Sequence, residues 1–246
     1  MAPDKGRGTW TTVGGLLPAE PGGTGPGFYR LADTAHDELD IGSMYVTGED
    51  KSHIARTINL AVQAFQSACE MPVTERDGWL GPKTHEAGVN FQDAHGLKPD
   101  GLFGPETMRQ AFLPLINSRA DLYMIERGIL LGIVEVGSGF DPGAVSLDGE
   151  RYGLCQVNLG RGTTASLEFA MNPDNALDWT AKRLRSTFNL TYVQVRGITR
   201  ERAWDVAILS ILNPKDATRF RDTGIYPSPE SEDYVQQVRV LVDYGK

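Results

Sequence analysis

Cysteine and histidine are scarce in this sequence of 246 residues, and their placement excludes several kinds of site. Neither Cys69 nor Cys155 lies in a CxxC or Cys/His spacing, so the sequence predicts neither a zinc site nor a disulfide framework. All histidines occur in the first half of the chain, away from the segment that carries the chemical motifs, which argues against a metal-dependent amidase or peptidase. We therefore predict no metal and no cofactor. The histidines are His36, His53, His85 and His95.

Positive charge and long apolar runs are also limited. The chain has 24 Lys and Arg against 32 Asp and Glu, a formal net charge of -8, so it offers no general basic surface for a nucleic acid. No run approaches the roughly 20 apolar residues that span a bilayer, so membrane insertion is not predicted. The opening MAPDKGRGTW lacks the apolar stretch of a signal peptide, so we expect no cleaved secretion signal.

What the chain does contain is organised in three parts. Residues 1–50 include GGLLPAEPGGTGPG, in which glycine and proline displace periodic apolar residues, and they predict an extended arm or linker. In an assembled particle such an arm can become ordered by docking on a neighbouring protein. From Ser52 onward apolar residues recur at helical spacing, which predicts the first helix of a folded domain.

A repeat follows in the second part, which we assign to residues 51–117. The sequences DGWLGPKT and DGLFGPET begin at Asp77 and Asp100, and an FQ pair precedes each of them on a predicted helix. Asp-Gly predicts a tight turn, and Pro-x-Thr predicts the start of the next helix, because proline fixes φ in a first turn. The repeating unit is therefore a helix, a turn and a helix start.

These residues resemble the three-helix peptidoglycan-binding domain of bacterial wall hydrolases and phage endolysins. The resemblance covers about residues 54–113 and implies that bacterial peptidoglycan is the partner. Turn formation alone also explains the repeated glycine, proline and aspartate residues. Trp79 and Phe103, which follow the two Asp-Gly turns, are the candidates for wall contact, although the sequence favours a place in the hydrophobic core for each.

The third part, residues 118–246, begins with the helical sequence DLYMIERGILLGIVEV. Further motifs follow it in order: SGFDP, GERYGLCQVN, NPDNALDWTAKRL, AWDVAILSILNP and PESEDYVQQV. Together they resemble the soluble-lytic-transglycosylase and goose-lysozyme-like family, which implies a mainly α-helical, two-lobed lysozyme-like domain. The predicted fold class is thus mainly α, with a small three-helix peptidoglycan-binding domain followed by an α-helical lysozyme-like domain.

The resemblance implies a cleft lined by four substrate-binding residues, Ser138, Tyr152, Gln156 and Asn213. Amide side chains can bind the acetamido group of a sugar through both a donor and an acceptor. Amides that hold loops in place are equally common, so this alternative remains for Gln156 and Asn213.

Two positions depart from the family pattern. Gly137 stands where the family has its catalytic glutamate, and Leu212 stands where it has a tyrosine. In the family, that glutamate protonates the glycosidic oxygen between N-acetylmuramic acid and N-acetylglucosamine. It then acts as the base that lets the muramic acid hydroxyl close on the anomeric carbon. Glycine cannot transfer a proton, and general acid–base catalysis contributes about 10²–10⁴-fold.

Three alternatives follow for the catalytic acid. Glu135 is the nearest carboxyl, but at about 100° per residue it lies roughly 200° around the helix from Gly137, and only a helix break or a π-bulge would bring it into the cleft. Otherwise Glu135 is a charge on the solvent face, or the partner of a residue such as Arg127 or Arg151. Glu150, in the turn before Gln156, is a second candidate, and the third alternative is that the chain has no competent acid.

We therefore expect a protein that binds peptidoglycan and cleaves its glycan strand, of the kind that phages carry as an endolysin or a virion-associated lysin. Such a protein remains in the host cytoplasm until release, or is mounted in the virion, and acts at the cell wall. The alternative function is a catalytically impaired, wall-binding component of a phage tail or injection apparatus. In either case residues 1–50 would contact virion or tail proteins.

Overall fold

The computed structural model describes residues 60–79, 81–101, 103–146, 149–159 and 165–243. The predicted arm at residues 1–50 and the predicted helix start at Ser52 lie outside these ranges. Most of the described residues are helical, and the sheet that they contain has two strands. The prediction of a mainly α chain is therefore confirmed.

The elements are numbered here along the described chain. Helix α1 covers residues 60–68 and is followed by a short 3-10 helix, Val73–Glu75. The antiparallel strands β1, Arg151–Tyr152, and β2, Val157–Asn158, pair Arg151 with Asn158 and Tyr152 with Val157. The remaining helices are α2 Pro82–Ala94, α3 Pro105–Leu122, α4 Arg127–Ser138, α5 Leu167–Met171, α6 Pro173–Gln194, α7 Arg200–Leu212, α8 Pro214–Thr223 and α9 Pro229–Asp243.

Local sequence explains where most of these helices begin. Five of them start at a proline, whose fixed φ suits a first turn and whose missing N–H would have no partner there. Two others have side-chain caps: Thr199 accepts a hydrogen bond from Arg202 N before α7, and Ser166 accepts one from Phe169 N before α5. The five prolines are Pro82, Pro105, Pro173, Pro214 and Pro229.

The described chain forms two compact units. The first contains the residues up to Phe112 together with Ser138–Pro173, and the second contains Leu113–Gly137 and the residues from Asp174 onward. The predicted boundaries after residues 50 and 117 stay a prediction, and the division between these units does not coincide with them.

In the part of the first unit that contains the repeats, the core is built around two aromatic rings. The ring centroids of Phe65 in α1 and Phe103 lie 4.0 Å apart, and both side chains are 1% exposed. Gly88 in α2 lies directly against the Phe103 ring, and a β-carbon there would overlap it. Phe65 of α1 and Gly88 of α2 thus both contact Phe103, and truncating such a buried Phe to Ala costs about 3–5 kcal/mol.

Helix α7 is the central helix of the second unit. Its residues from Ala203 to Ser210 are buried apart from the partly exposed Asp205, and Trp204 stacks on Phe188 of α6 with ring centroids 4.1 Å apart. Helices α8 and α9 both pack against α7. Helix α4 approaches α9 closely at Gly132, where a β-carbon would lie 2.8 Å from the carbonyl oxygen of Val238.

Candidate functional site

The C-terminal half of α4 carries the position at which the sequence departs from the family motif. The helix is regular from Arg127 to Ser138, without the π-bulge or break that would be needed to redirect Glu135. Gly137 follows the buried residues Ile133 by four positions and Val134 by three, so it lies on the same side of the helix as they do, and it is itself partly exposed. Glu135 therefore lies about 200° away from Gly137 around the helix axis.

Glu135 is only partly exposed. Its Oε2 atom is buried and has no hydrogen-bond partner among the described residues. Arg127, one of its expected partners, instead binds Asp121 through Nε at 2.9 Å and Nη2 at 2.6 Å. The structure thus contains a half-buried carboxyl on α4 whose inner oxygen is unbonded, on the face opposite Gly137.

The chain leaves α4 through a tight reversal. Gly139 and Phe140 both have positive φ, 57° and 67°, and the Asp141 amide donates to the Ser138 carbonyl at 3.0 Å. Phe140 adopts a left-handed conformation that is rare for a bulky residue, and its side chain is 2% exposed, which anchors the turn. Ser138 is 1% exposed, so its hydroxyl belongs to the interior of this unit rather than to its surface.

The segment GLCQ forms the turn between β1 and β2. Gly153 has φ 72° and lies so close to α5 that a β-carbon would overlap the carbonyl oxygen of Ala170. The Gln156 amide nitrogen donates to the carbonyls of Ala144 and Gly153 at 3.2 and 3.0 Å. Gln156 therefore fastens the turn to the loop after α4, which is the loop-holding alternative that the sequence left open.

Two further predicted residues lie beside this turn. Tyr152 in β1 is partly exposed and forms an isolated bridge to Val145, which joins the strand to the loop after α4. Glu150, just before β1, is exposed, and its backbone carbonyl accepts from the Leu159 amide at 2.7 Å. The second candidate acid thus lies at an exposed position of a hairpin.

Asn213 connects α7 to α8. Its backbone amide donates to the Leu209 carbonyl at 2.7 Å. Its side-chain oxygen caps α8 by accepting from the backbone amide of Lys215 at 3.0 Å. The side-chain nitrogen is the donor that this cap does not use. Ser138, Tyr152 and Gln156 belong to the first unit, whereas Glu135 and Asn213 belong to the second, so the predicted shared cleft stays a prediction.

In the repeat region, a buried glutamine organises each copy. Gln66 accepts from the Gly78 amide at 2.9 Å and donates to Asp77 Oδ1 and the Thr84 hydroxyl, both at 2.9 Å. In the second copy, Gln92 accepts from the Gly101 amide at 2.9 Å and donates to Thr107 at 3.1 Å. The FQ pairs are visible in the sequence, but the structural function of their glutamines was not predicted from it. Their position before each Asp-Gly turn is the sequence feature that indicates this function.

The two aromatic candidates for wall contact have different environments. Phe103 is 1% exposed, as the preference for a core position predicted, so it has almost no surface to offer a ligand. Trp79 is 48% exposed, so the preference for a core position is wrong for this residue. The difference arises because the backbone of Trp79 takes part in the Gln66 network while its side chain points away from the core.

Sequence reasoning also missed a polar cluster in the second unit. Asp205 of α7 accepts from Arg239 of α9 at 2.8 Å, and burial raises the pKa of the Asp205 carboxyl while Arg239 opposes that shift. The Tyr226 hydroxyl bonds to Asp205, and burial together with the charges of Asp205 and Glu232 raises the pKa of Tyr226 to about 12. This cluster links α7 to α9 and has no sequence motif of its own.

Neither a metal-ligand cluster nor a membrane-spanning helix occurs among the described residues. No three His, Cys, Asp or Glu side chains in these ranges lie close enough together to hold a metal ion. Among the helices in the described ranges, none has the length and apolarity needed to cross a membrane.

Comparison with known proteins gives one family match and a similarity to several relatives. Residues 74–110 match a family profile described as "Putative peptidoglycan binding domain". The chain is also 34% identical over 116 residues to the "Membrane-bound lytic murein transglycosylase C" of Actinobacillus pleuropneumoniae serotypes 5b (strain L20) and 3 (strain JL03). This similarity covers 44% of the chain and 32% of each relative, so the chain spans about a third of their length.

Proposed function

We propose that the protein binds bacterial peptidoglycan through residues 60–112 and cleaves its glycan strand slowly, between N-acetylmuramic acid and N-acetylglucosamine. The match of residues 74–110 to a peptidoglycan-binding family carries the proposal of binding. The similarity to lytic murein transglycosylases, whose name describes action on this polymer, supports the proposal of cleavage.

Slow cleavage is expected because of the residue at position 137. A proton must reach the glycosidic oxygen as the bond breaks, and the family motif provides the acid at the position that Gly137 occupies. Without it, catalysis depends on whatever binding and distortion of the sugar the remaining residues provide, and the rate falls by about 10²–10⁴-fold. Water then serves as the proton source.

Two carboxyls are candidates for the missing acid. Glu135 is half-buried and its Oε2 atom has no hydrogen-bond partner among the described residues, whereas Glu150 is exposed at a hairpin. The regular geometry of α4 nevertheless separates Glu135 from Gly137 by about 200°, which is why we do not assign it as the acid.

The second candidate function is that of a wall-binding structural component of a phage tail or injection apparatus, without turnover. The uninterrupted α4 favours it, because the one rearrangement that would restore an acid at the motif is missing. In both versions we propose that the protein acts at the cell wall of the host, either after release or as part of the particle, and that residues 1–50 provide contacts to other particle proteins.

Sedimentation with purified peptidoglycan tests the binding, with cellulose as the matched insoluble polysaccharide. We expect the full chain to sediment with peptidoglycan and to stay in solution with cellulose. Prolonged incubation at high protein concentration then tests cleavage by mass spectrometry of the soluble fragments. Anhydro-muramic products indicate transglycosylation and reducing ends indicate hydrolysis. Binding without any product supports the structural component, and a protein that stays in solution with both polymers contradicts wall binding.

A further inference from the structure

Trp79 differs from the other tryptophans that the structure describes. Trp204 is 1% exposed within the core of the second unit, and Trp179 is partly covered by the guanidinium of Arg183, 5.3 Å from its ring centroid. Trp79, by contrast, leaves 48% of its surface in solvent. Large exposed aromatic side chains are enriched where proteins bind partners, because a rigid ring provides much contact area and loses little conformational entropy.

Hydrogen bonds fix the backbone of Trp79 at both its amide and its carbonyl. Its amide donates to Asp77 Oδ1 at 2.9 Å, and its carbonyl accepts from the Gln66 side chain at 3.1 Å and from the Thr84 hydroxyl at 2.6 Å. On the Trp79 side these bonds use main-chain atoms only, so they fix its backbone without involving the indole. A backbone that is already fixed before a ligand binds lowers the entropy lost on binding.

The charge beside the indole is negative. Hydrogen bonds from Gln66 and from the Trp79 amide lower the pKa of Asp77, so this exposed carboxyl is ionised at neutral pH. Lys83, whose charge also lowers the pKa of Asp77, is paired with Glu75 at 2.7 Å. A ligand group that approaches the ring therefore meets a carboxylate whose Oδ1 atom is engaged inward and whose Oδ2 atom remains as an acceptor.

This combination discriminates between the chemical parts of peptidoglycan. The stem peptides carry free carboxylates, which the Asp77 charge repels. N-acetylglucosamine is uncharged, with C–H bonds on one face that suit an aromatic ring and hydroxyls at its edge that donate to carboxylates. We propose that Trp79 is the platform on which an N-acetylglucosamine ring stacks, with Asp77 Oδ2 accepting from a sugar hydroxyl.

This inference rests on the proposed wall binding and can fail separately from it. The probe is a tetramer of β-1,4-linked N-acetylglucosamine, which has neither stem peptide nor lactyl group, and its binding to the full chain is measured by calorimetry. We expect Trp79→Ala to weaken binding about tenfold or more, as for an aromatic residue at the centre of a binding surface. Val73→Ala is the matched control, because Val73 is apolar, 77% exposed and in the same unit, and it should change binding less than twofold.

Four results would contradict the inference. Equal binding of the tetramer by wild type and Trp79→Ala contradicts it, and so does sedimentation of the wild type with peptidoglycan without any affinity for the tetramer. Displacement from peptidoglycan by a soluble stem peptide, but not by the tetramer, assigns the surface to the peptide and also contradicts it. These three results leave the proposed wall binding intact, whereas failure of the wild type to sediment with peptidoglycan contradicts both.

Discussion

The side-chain amide of Gln66 donates to the hydroxyl of Thr84 at 2.9 Å across the first repeat. Gln66 is 0% exposed and Thr84 is 2% exposed, so this bond lies in the interior of the unit. Gln92 and Thr107 are joined in the same way in the second copy, at 3.1 Å. The glutamine and threonine of each copy are therefore joined in the interior and belong to the buried frame of the repeat.

Replacing Gln66 by methionine should destabilise the protein by about 2–4 kcal/mol, because the Gly78 amide and the Thr84 hydroxyl would lose a buried partner. Denaturant unfolding measures the loss, and hydrogen exchange at Gly78 locates it. Gln63→Met in the same helix is the control, since Gln63 is only partly buried, and it should change stability by less than about 0.5 kcal/mol. Unchanged protection of Gly78 in Gln66→Met would refute this function of the glutamine.

Alanine at position 153 should be costly for two separate reasons. Gly153 has φ 72°, which costs an L-residue about 1–2 kcal/mol, and its β-carbon would overlap the Ala170 carbonyl. Gly149 has a similar φ of 70° and open space around it, so Gly149→Ala should show the backbone cost alone. We expect thermal unfolding to place Gly153→Ala at least about 2 kcal/mol below Gly149→Ala. Equal losses would mean that the approach to α5 is not tight in solution.

The Tyr226 cluster predicts a loss of stability at alkaline pH. The pKa of the Tyr226 hydroxyl is raised to about 12, above the ordinary value of 10.0, so folding favours the protonated phenol. The resulting stabilisation is fully present below pH 10 and is lost as the pH rises towards 12. The free energy of unfolding is measured for wild type and Tyr226→Phe between pH 8 and 12, and the difference between the two proteins at pH 8 is subtracted. Because Tyr226 is partly exposed, we expect wild type to lose up to about 2 kcal/mol more than the variant over this range. Parallel pH profiles would contradict the assignment.

The sequence predicted those features of the fold that depend on local chemistry. Proline marked the starts of α2 and α3, and the apolar stripe of α4 marked a buried helix that ends at the motif. That helix begins at Arg127 and not at Asp121 as its sequence suggested, because α3 continues to Leu122 and a turn follows. Such features can be read because the backbone preference or the periodicity belongs to neighbouring residues. The mainly α class, which the family resemblance implied, is confirmed by the structure.

Features that depend on distant residues could not be read in the same way. The sequence left Gln156 as either a sugar-binding or a loop-holding amide; the carbonyls that its side chain binds lie 12 and 3 residues before it, and only the folded turn brings the more distant one near. The hydrogen bond from Gln66 to the Trp79 carbonyl likewise joins residues 13 positions apart. The Asp205–Arg239 pair, 34 residues apart, gave no signal in the sequence, because single charged residues on helices usually lie on solvated faces.

The central claim, that the position of the catalytic acid is vacant at Gly137, is tested most directly by the rate of muropeptide release from purified walls. Four proteins are compared at matched folded concentration: wild type, Gly137→Glu, Gly137→Gln and Glu135→Gln. The account predicts at least a tenfold increase for Gly137→Glu and none for Gly137→Gln, which has nearly the same shape but no acid, and a change below twofold for Glu135→Gln. A wild type as fast as Gly137→Glu, together with a loss of about 100-fold in Glu135→Gln, would contradict the account and identify Glu135 as the acid.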